Sequence, residues 1–433
     1  MKEDSVHGAH TTEDARVASL LTRSVASFID PEGQFKKKLE AKIRGEYTKD
    51  IVIKLGVDPT RPDIHLGHAV ILHKLRAFQD AGCKVIFLIG DFTSLIGDPT
   101  GKSKVRPEIT LKEVRANMQT YLDQVDSILS LDKTVFAWTQ NSNWFDASPK
   151  GLFAKKNAHT VTVIDMLAVL RRITHARLIE RDMFQDRLKN GNELYMHEML
   201  YPVMQGIDSA ILAKIYGSCD LEIGGTDQTF NMLMGRDVMR VYGQPEQSVM
   251  SMDILEGLDG KEKMSKSLDN YVGIADEAHD MYGKIMSIPD HLIVRYGMLA
   301  THLSEKEITE MRNGLESNIL HPKEAKMKIA RTIVAMYHDE AAAVSAEHAF
   351  ANTFAKGGIP EDIETHTYSA DTKLVDALVL SGAVESKGEV RRLIEQGAVT
   401  LLDTDTKLTD VQAFVAEGNY RIGKHRFVKI IVR

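Results

Sequence analysis

The chain has 433 residues, too many for one compact core, so two or three domains are expected. With 43% hydrophobic and 27% charged residues it has the composition of a globular protein, which excludes a disordered or collagen-like chain. A net charge of −7 argues against a protein coated with nucleic acid, and two cysteines, Cys83 and Cys219, exclude a disulfide framework or a cysteine-rich zinc site.

No apolar run reaches the length of a membrane span, and the polar start Met1-Lys2-Glu3-Asp4 lacks a signal-peptide segment, so a cytoplasmic protein without membrane contact is expected. Residues 1–30 read as a packed helix or a loose arm. Ile51–Leu55 reads as a strand closed by Gly56 and the Asp58-Pro59-Thr60 turn. From Asp63 the period changes to a helix carrying Val70, Ile71, Leu75 and Phe78 on one stripe, with Gly82 as its stop. Lys84–Ile89 is a continuous apolar run, the signature of a strand buried on both faces. Strand, helix, strand predicts a βαβ unit and hence a Rossmann-like, doubly wound parallel sheet.

Further strands are expected at Thr134–Ala137, Leu221–Ile223 and Val249–Ile254, with a helical insertion over about 110–205. The expected catalytic domain covers 1–255. A helical domain covers 256–354, a linker opened by Lys356-Gly357-Gly358-Ile359-Pro360 covers 355–371, and a small α+β unit covers 372–433. That last unit holds ten basic and eight acidic side chains, a net of +2, leaving −9 for the rest.

Three motifs carry chemistry. Asp58-Pro59-Thr60-Arg61-Pro62-Asp63-Ile64-His65-Leu66-Gly67-His68 joins a strand end to a helix start, where open α/β sheets bind ligands. The i, i+3 spacing puts both imidazoles on one face at a helix N-terminus; a zinc pair or two core histidines is the plainer alternative. Gly257-Leu258-Asp259-Gly260-Lys261-Glu262-Lys263-Met264-Ser265-Lys266-Ser267 reads as a loop bringing two ammonium groups to a polyphosphate, or as a solvated basic loop. Tyr201, Gln205 and Asp208 share a helix face at i, i+4 and i+7, with Pro202 expected in the first turn. The face suits a polar ligand with an ammonium at one end and a donor at the other, or a structural ladder. Gly224-Gly225-Thr226-Asp227-Gln228 follows a strand and suits a ribose. Gly97-Asp98-Pro99-Thr100-Gly101-Lys102-Ser103 has three residues between its glycines, not the four of a P-loop.

His-Leu-Gly-His and Lys-Met-Ser-Lys-Ser together are the signature pair of class I aminoacyl-tRNA synthetases. With the Tyr-x-x-x-Gln-x-x-Asp face and Gly-Gly-Thr-Asp-Gln, the chain from about residue 30 resembles the bacterial tyrosyl-tRNA synthetases. The resemblance implies ATP with Mg²⁺, L-tyrosine and tRNA(Tyr) as substrates, no resident metal, and a homodimer through the helical insertion. It implies that Asp98, Tyr201 and Gln205 hold the α-amino group, Asp208 the phenolic hydroxyl and Gln228 the carboxylate. Gly56, Asp58, Gly67, Gly225 and Asp227 would meet ATP, and Thr60, His65, His68, Lys102, Arg106, Lys263 and Lys266 its phosphates. Lys54 stands where shorter-looped relatives place a tyrosine that helps read the phenol, and is counted with the tyrosine-binding residues. The end unit resembles a small ribosomal-protein RNA-binding domain, in which Lys387, Arg391, Arg392, Lys424 and Arg426 would face RNA. A tryptophan-specific relative, or an RNA-binding protein on a synthetase scaffold that has lost adenylation, remains the alternative.

Overall fold

The computed structural model describes residues 3–61, 63–99, 109–145, 159–179, 182–355, 363–384, 386–404, 406–423 and 426–433. The chain divides into two compact units, Met1–Glu277 with Lys284–Tyr337, and Ala278–Gly283 with His338–Arg433. Among the described residues no helix is long and apolar enough to cross a membrane.

In the first unit, helix α1 (Glu3–Thr22) leads to β1 (Val25–Ile29) and α2 (Gln34–Ile43). Then come β2 (Val52–Val57), α3 (Leu66–Asp80), β3 (Lys84–Ile89) and the short α4 (Thr93–Ile96). Next are α5 (Leu111–Val125), β4 (Phe136–Gln140), α6 (Ser142–Phe145), α7 (Val163–Leu170), α8 (His175–Ile179), α9 (Asp182–Lys189) and α10 (Met196–Tyr216). After them β5 (Leu221–Gly225), α11 (Thr229–Val241) and β6 (Ser248–Met252) complete the sheet. Its order is β1-β6-β5-β2-β3-β4, parallel except for β1, which pairs antiparallel with β6 at the edge. Residues 1–30 thus contribute a strand as well as a helix.

Strand β3 is buried on both sides after Lys84 because helices cover each face of a parallel sheet, as its unbroken apolar run requires. Helix α3 buries Val70, Leu75 and Phe78, and Gly82 at φ +81° ends it in a conformation few other residues adopt. The fourth strand starts two residues later than expected. Asp132 Oδ1 accepts from the Thr134 N–H at 2.8 Å and its carbonyl accepts from Val135 and Phe136, so a turn occupies the start of the expected strand. This strand lies inside 110–205, so α5 is the crossover from β3 to β4, and the helical insertion begins after β4. Pro202 sits in the second turn of α10, not the first. The helix starts earlier than read, helped by Glu198, which accepts from the Tyr195 N–H at 3.0 Å and pairs with buried Arg187 at 2.8 Å. The insertion packs Trp144, Val169, Leu178 and Phe184 against Met199, Val203 and Ile207 of α10.

The order of strands reverses between β2 and β5, the switch point where open sheets hold their ligands. Strand β2 pairs with β3 over its whole length, Val52↔Lys84 to Val57↔Ile89. With β5 it pairs only at Ile53↔Leu221 and Lys54↔Glu222, so the two strands part beyond that second pair and a crevice opens between them.

Helices α12 (Ala278–Met286), α13 (Ile293–Ala300), α14 (Glu305–Glu316) and α15 (Pro322–Tyr337) follow; the first turn and a half of α12 belongs to the second unit. The second unit continues with α16 (Glu340–Ala355), β7 (Thr365–Tyr368), α17 (Leu374–Leu380) and α18 (Lys387–Glu395). It ends with β8 (Val399–Leu401), β9 (Thr406–Lys407), β10 (Gly418–Ile422) and β11 (Arg426–Val432). Its sheet, β7-β11-β10-β8-β9, packs Tyr420, Ile422, Val428 and Ile430 against Leu374, Leu378, Val390 and Ile394.

Candidate active site

The two histidines sit where β2 gives way to α3. His65 precedes the helix and His68 lies in its first turn, their rings stacked with centroids 3.8 Å apart. A Cβ on Gly67 would stand 3.1 Å from the His65 ring, so the missing side chain lets the ring fold back over the turn. His65 Nδ1 is buried and makes no hydrogen bond among the described residues, an orphan that suits a phosphate oxygen.

The lysine loop lies against this turn. His65 bridges to Gly273, the Leu66 N–H donates to the Val272 carbonyl at 2.9 Å, and Met264 of the loop is buried. The loop is internally ordered. Asp259 accepts from the Lys261 and Glu262 amides, and the Ser265 N–H donates to Asn270 Oδ1 at 2.7 Å. Lys266 reaches Asp63 at 2.6 Å, and Lys263 reaches Asp227 at 2.6 Å. The residues expected at the phosphate and at the ribose therefore hold each other.

Burial, with the nearby lysine charges added, pushes the imidazoles down, His65 to about 2 and His68 to about 3. Both are neutral N–H donors at neutral pH. An unfolded chain takes up protons on these rings below about pH 6.5 while the folded site refuses them, so stability is full above 6.5 and falls with pH. Between pH 7 and 5 each ring is expected to cost up to about 2 kcal/mol of stability. His73, pushed down to about 4 by burial, adds a loss of the same sign. Urea melts of the His68→Asn variant should show a shallower fall from pH 7 to 5 than the parent chain; parallel curves would contradict the assignment.

The third group is a continuous hydrogen-bonded run. The Tyr201 hydroxyl donates to Asp58 Oδ2 at 2.8 Å, and Thr93 Oγ1 donates to Asp58 Oδ1 at 2.9 Å. Asn141 Nδ2 donates to Thr93 Oγ1 at 3.0 Å and lies 3.4 Å from Asp208 Oδ2, while Trp144 Nε1–H donates to Asp208 Oδ1 at 2.8 Å. Asp208 is fully enclosed, and burial pushes its carboxyl up to about 7 against the opposing pull of Lys54, Trp144 and Asn141. Gln228 Nε2 donates to buried Asp98 at 2.6 Å, and its Oε1 accepts from Asn231. A Cβ on Gly225 would stand 2.5 Å from Asp227 Oδ1, so the glycine leaves the carboxylate its place.

The structure gathers His65, Gly67, His68, Lys263 and Lys266 around one turn, and Asp58, Asp98, Tyr201, Gln205, Asp208 and Gln228 around the switch point; the Thr60 N–H donates to the Asp58 carbonyl at 2.7 Å. Asp58, expected at ATP, is tied to Tyr201 and Thr93. Lys54 departs from the expected contact with the phenol, because its side chain is wholly buried and its three N–H groups go to Glu222, Ser209 and the Gln205 carbonyl. Lys102 and Arg106 lie outside the described residues, as does Lys424. In the second unit Arg391 and Arg392 are exposed, Lys387 pairs with Asp376 at 2.7 Å, and Arg426 binds Glu389 at 3.0 Å. Trp144, Asn141, Thr93, Asp63 and Glu222 were not singled out by sequence. The run Asn141-Ser142-Asn143-Trp144 directly after a strand was the available signal, since polar groups at that end of a parallel strand face the ligand side.

Comparison with known proteins gives the family. Residues 46–355 match the family described as tRNA synthetases class I (W and Y). The tyrosine–tRNA ligase of Desulfotalea psychrophila is 46% identical over 88% of this chain and 89% of its own. That of Moorella thermoacetica is 43% identical over 96% of each. The fold is shared with a truncated mitochondrial tyrosyl-tRNA synthetase of Aspergillus nidulans, at a TM-score of 0.60 and 21% identity over 78% of this chain and 94% of that one. The chain belongs to the class I tRNA synthetases and, within them, to the tyrosine–tRNA ligase family.

Proposed function

We propose that the crevice activates L-tyrosine with ATP, taken up as its Mg²⁺ complex, and then transfers the tyrosyl group to the 3′-terminal ribose of tRNA(Tyr) in the cytoplasm. The observation that carries this reading is the run Tyr201–Asp58–Thr93–Asn141–Asp208 at the switch point, on the same strand ends as Asp227 and its lysine partner. In the first step a tyrosine carboxylate oxygen attacks the α-phosphorus, the bond to the bridging oxygen breaks, and pyrophosphate leaves with the charge. In the second a ribose hydroxyl attacks the tyrosyl carbonyl and AMP leaves.

No protein nucleophile is needed, because the substrate brings its own. The chain contributes position and cations. Asp208 accepts from the phenol, Asp98, Tyr201 and Gln205 hold the ammonium, and Gln228 orients the carboxylate. Gly56, Gly67, Gly225 and Asp227 hold the nucleoside. Thr60 and the neutral His65 and His68 donate to phosphate, and Lys102, Arg106, Lys263 and Lys266 neutralise the leaving charge. The helices of 256–354 and the basic unit 372–433, joined by 355–371, hold the tRNA. Tyrosine-dependent exchange of pyrophosphate into ATP by the purified chain tests the reading. Exchange with tyrosine and none with tryptophan is expected; exchange driven by tryptophan, or by neither, would refute it.

The same reading includes a homodimer. Helix α7 exposes Val163 by 76%, Ile164 by 78% and Leu167 by 49%, an apolar face on the insertion that a second copy would cover. Sedimentation should therefore give twice the chain mass for the parent and a monomer for Ile164→Glu. A monomeric parent would contradict the assignment.

A further inference from the structure

The floor of the crevice is an ion pair that the two-step reaction does not by itself require. Lys54 and Glu222 are the last residues paired between β2 and β5 before the strands separate, and their side chains are 0% and 1% exposed. Burying two charges is costly unless every polar atom finds a partner, and here each does. Lys54 Nζ donates to Glu222 Oε1, the Gln205 carbonyl and Ser209 Oγ, each at 2.9 Å. Glu222 Oε1 also accepts from Gln205 Nε2 at 2.9 Å, and Oε2 accepts from Gln247 Nε2 at 2.5 Å and Ser209 Oγ at 3.3 Å.

Two consequences reach the residues above. An amide placed against a carboxylate must turn its NH₂ toward it, so Glu222 fixes the flip of Gln205 and leaves Oε1 as the atom offered to a ligand. That oxygen accepts no hydrogen bond among the described residues, and an acceptor is what an ammonium group needs. Asp208 and Ser209 are neighbours on α10, and the Lys54 ammonium favours the ionised form of Asp208 while the Glu222 carboxylate opposes it, so the two charges of the pair act on Asp208 in opposite senses. An ionised carboxylate accepts from a phenol and from both Trp144 and Asn141 at once.

We propose that Lys54 and Glu222 form a positioning pair for the amino-acid clamp, setting Gln205 as an ammonium acceptor. The pair touches no substrate and acts through Gln205. This rests on the crevice being the tyrosine site, and the test separates the two claims.

The Lys54→Met/Glu222→Leu double variant removes both charges while keeping apolar volume, an exchange that buried pairs often tolerate without loss of stability. Glu222→Gln keeps the shape but removes the negative charge and replaces one acceptor oxygen with an NH₂ donor. In tyrosine-dependent pyrophosphate exchange, the double variant is expected to raise the KM for tyrosine about tenfold or more. The KM for ATP should stay within twofold, and Glu222→Gln should move in the same direction by a smaller factor. A purely structural pair predicts otherwise: a double variant that melts like the parent would bind tyrosine like the parent. A tyrosine KM within twofold of the parent in either folded variant overturns the proposal. Should neither variant fold, a crystal structure of the parent with tyrosine decides. Gln205 Nε2 on Glu222 with Oε1 on the ammonium supports it, and an ammonium held without Gln205 overturns it. A parent chain with no tyrosine-dependent exchange would instead refute the reading of the crevice itself.

Discussion

Replacing Asp208 with alanine is expected to lower the preference for tyrosine over phenylalanine by about 10- to 100-fold or more, read as the ratio of kcat/KM values in pyrophosphate exchange. The size follows from the chemistry of the enclosed carboxylate. Leaving a buried acceptor position unsatisfied costs about 1–3 kcal/mol, and phenylalanine leaves one acceptor position of Asp208 empty beside those that Trp144 and Asn141 fill. A site built around a hydroxyl rejects the analogue that lacks it, an effect for which tyrosyl-tRNA synthetases are themselves the standard example. Asp208 is held by Trp144 and Asn141, neither of which replaces it as an acceptor when the carboxylate is removed. The loss should therefore fall on tyrosine and leave phenylalanine almost unchanged. Equal losses for both amino acids would remove Asp208 from phenol recognition.

Single Lys263→Ala and Lys266→Ala variants are expected to slow adenylate formation by about 10²–10³-fold, the usual loss when one preorganised group facing transition-state charge is removed. The dissociation constant for tyrosine should remain within about twofold. The structure explains the separation. Lys263 is 53% exposed and tied to Asp227, and Lys266 is tied to Asp63, each partner being a carboxylate that phosphate can replace. Neither lysine bonds to Tyr201, Gln205 or Asp208 among the described contacts. Rapid-quench measurement of adenylate with equilibrium binding of tyrosine gives both numbers. A rate and an affinity that fall together would refute the division between loop and clamp.

What the sequence discloses, and what it hides, follows from the range of the interactions. The Lys84–Ile89 run and the Gly82 stop are local, and the structure has both where periodicity puts them. The start of α18 is equally local, since Ser386 Oγ accepts from the Glu389 N–H three residues on. Strand β1 is only Val-Ala-Ser-Phe-Ile, and it is a strand because Met252 to Val249 lie beside it more than 200 residues away. Lys54 interrupts an apolar run and, by resemblance, reads as a tyrosine contact. It is buried because Glu222, 168 positions later, brings the opposite charge to the same register. Trp144 and Asn141 are silent for the same reason, as their meaning depends on Asp208 across the sheet end. Pairs of motifs reveal a crevice, but the side chains that orient its working groups appear only once distant segments are brought together.

The central claim is tested most directly by a crystal structure of the chain with a non-hydrolysable tyrosyl-adenylate analogue. The phenol should lie on Asp208, the ammonium at Gln205, the ribose at Asp227 in place of Lys263, and the phosphoryl group between the histidine turn and the two lysines. An analogue seated away from the β2–β5 switch point, or with its phenol turned toward the lysine loop, would contradict it.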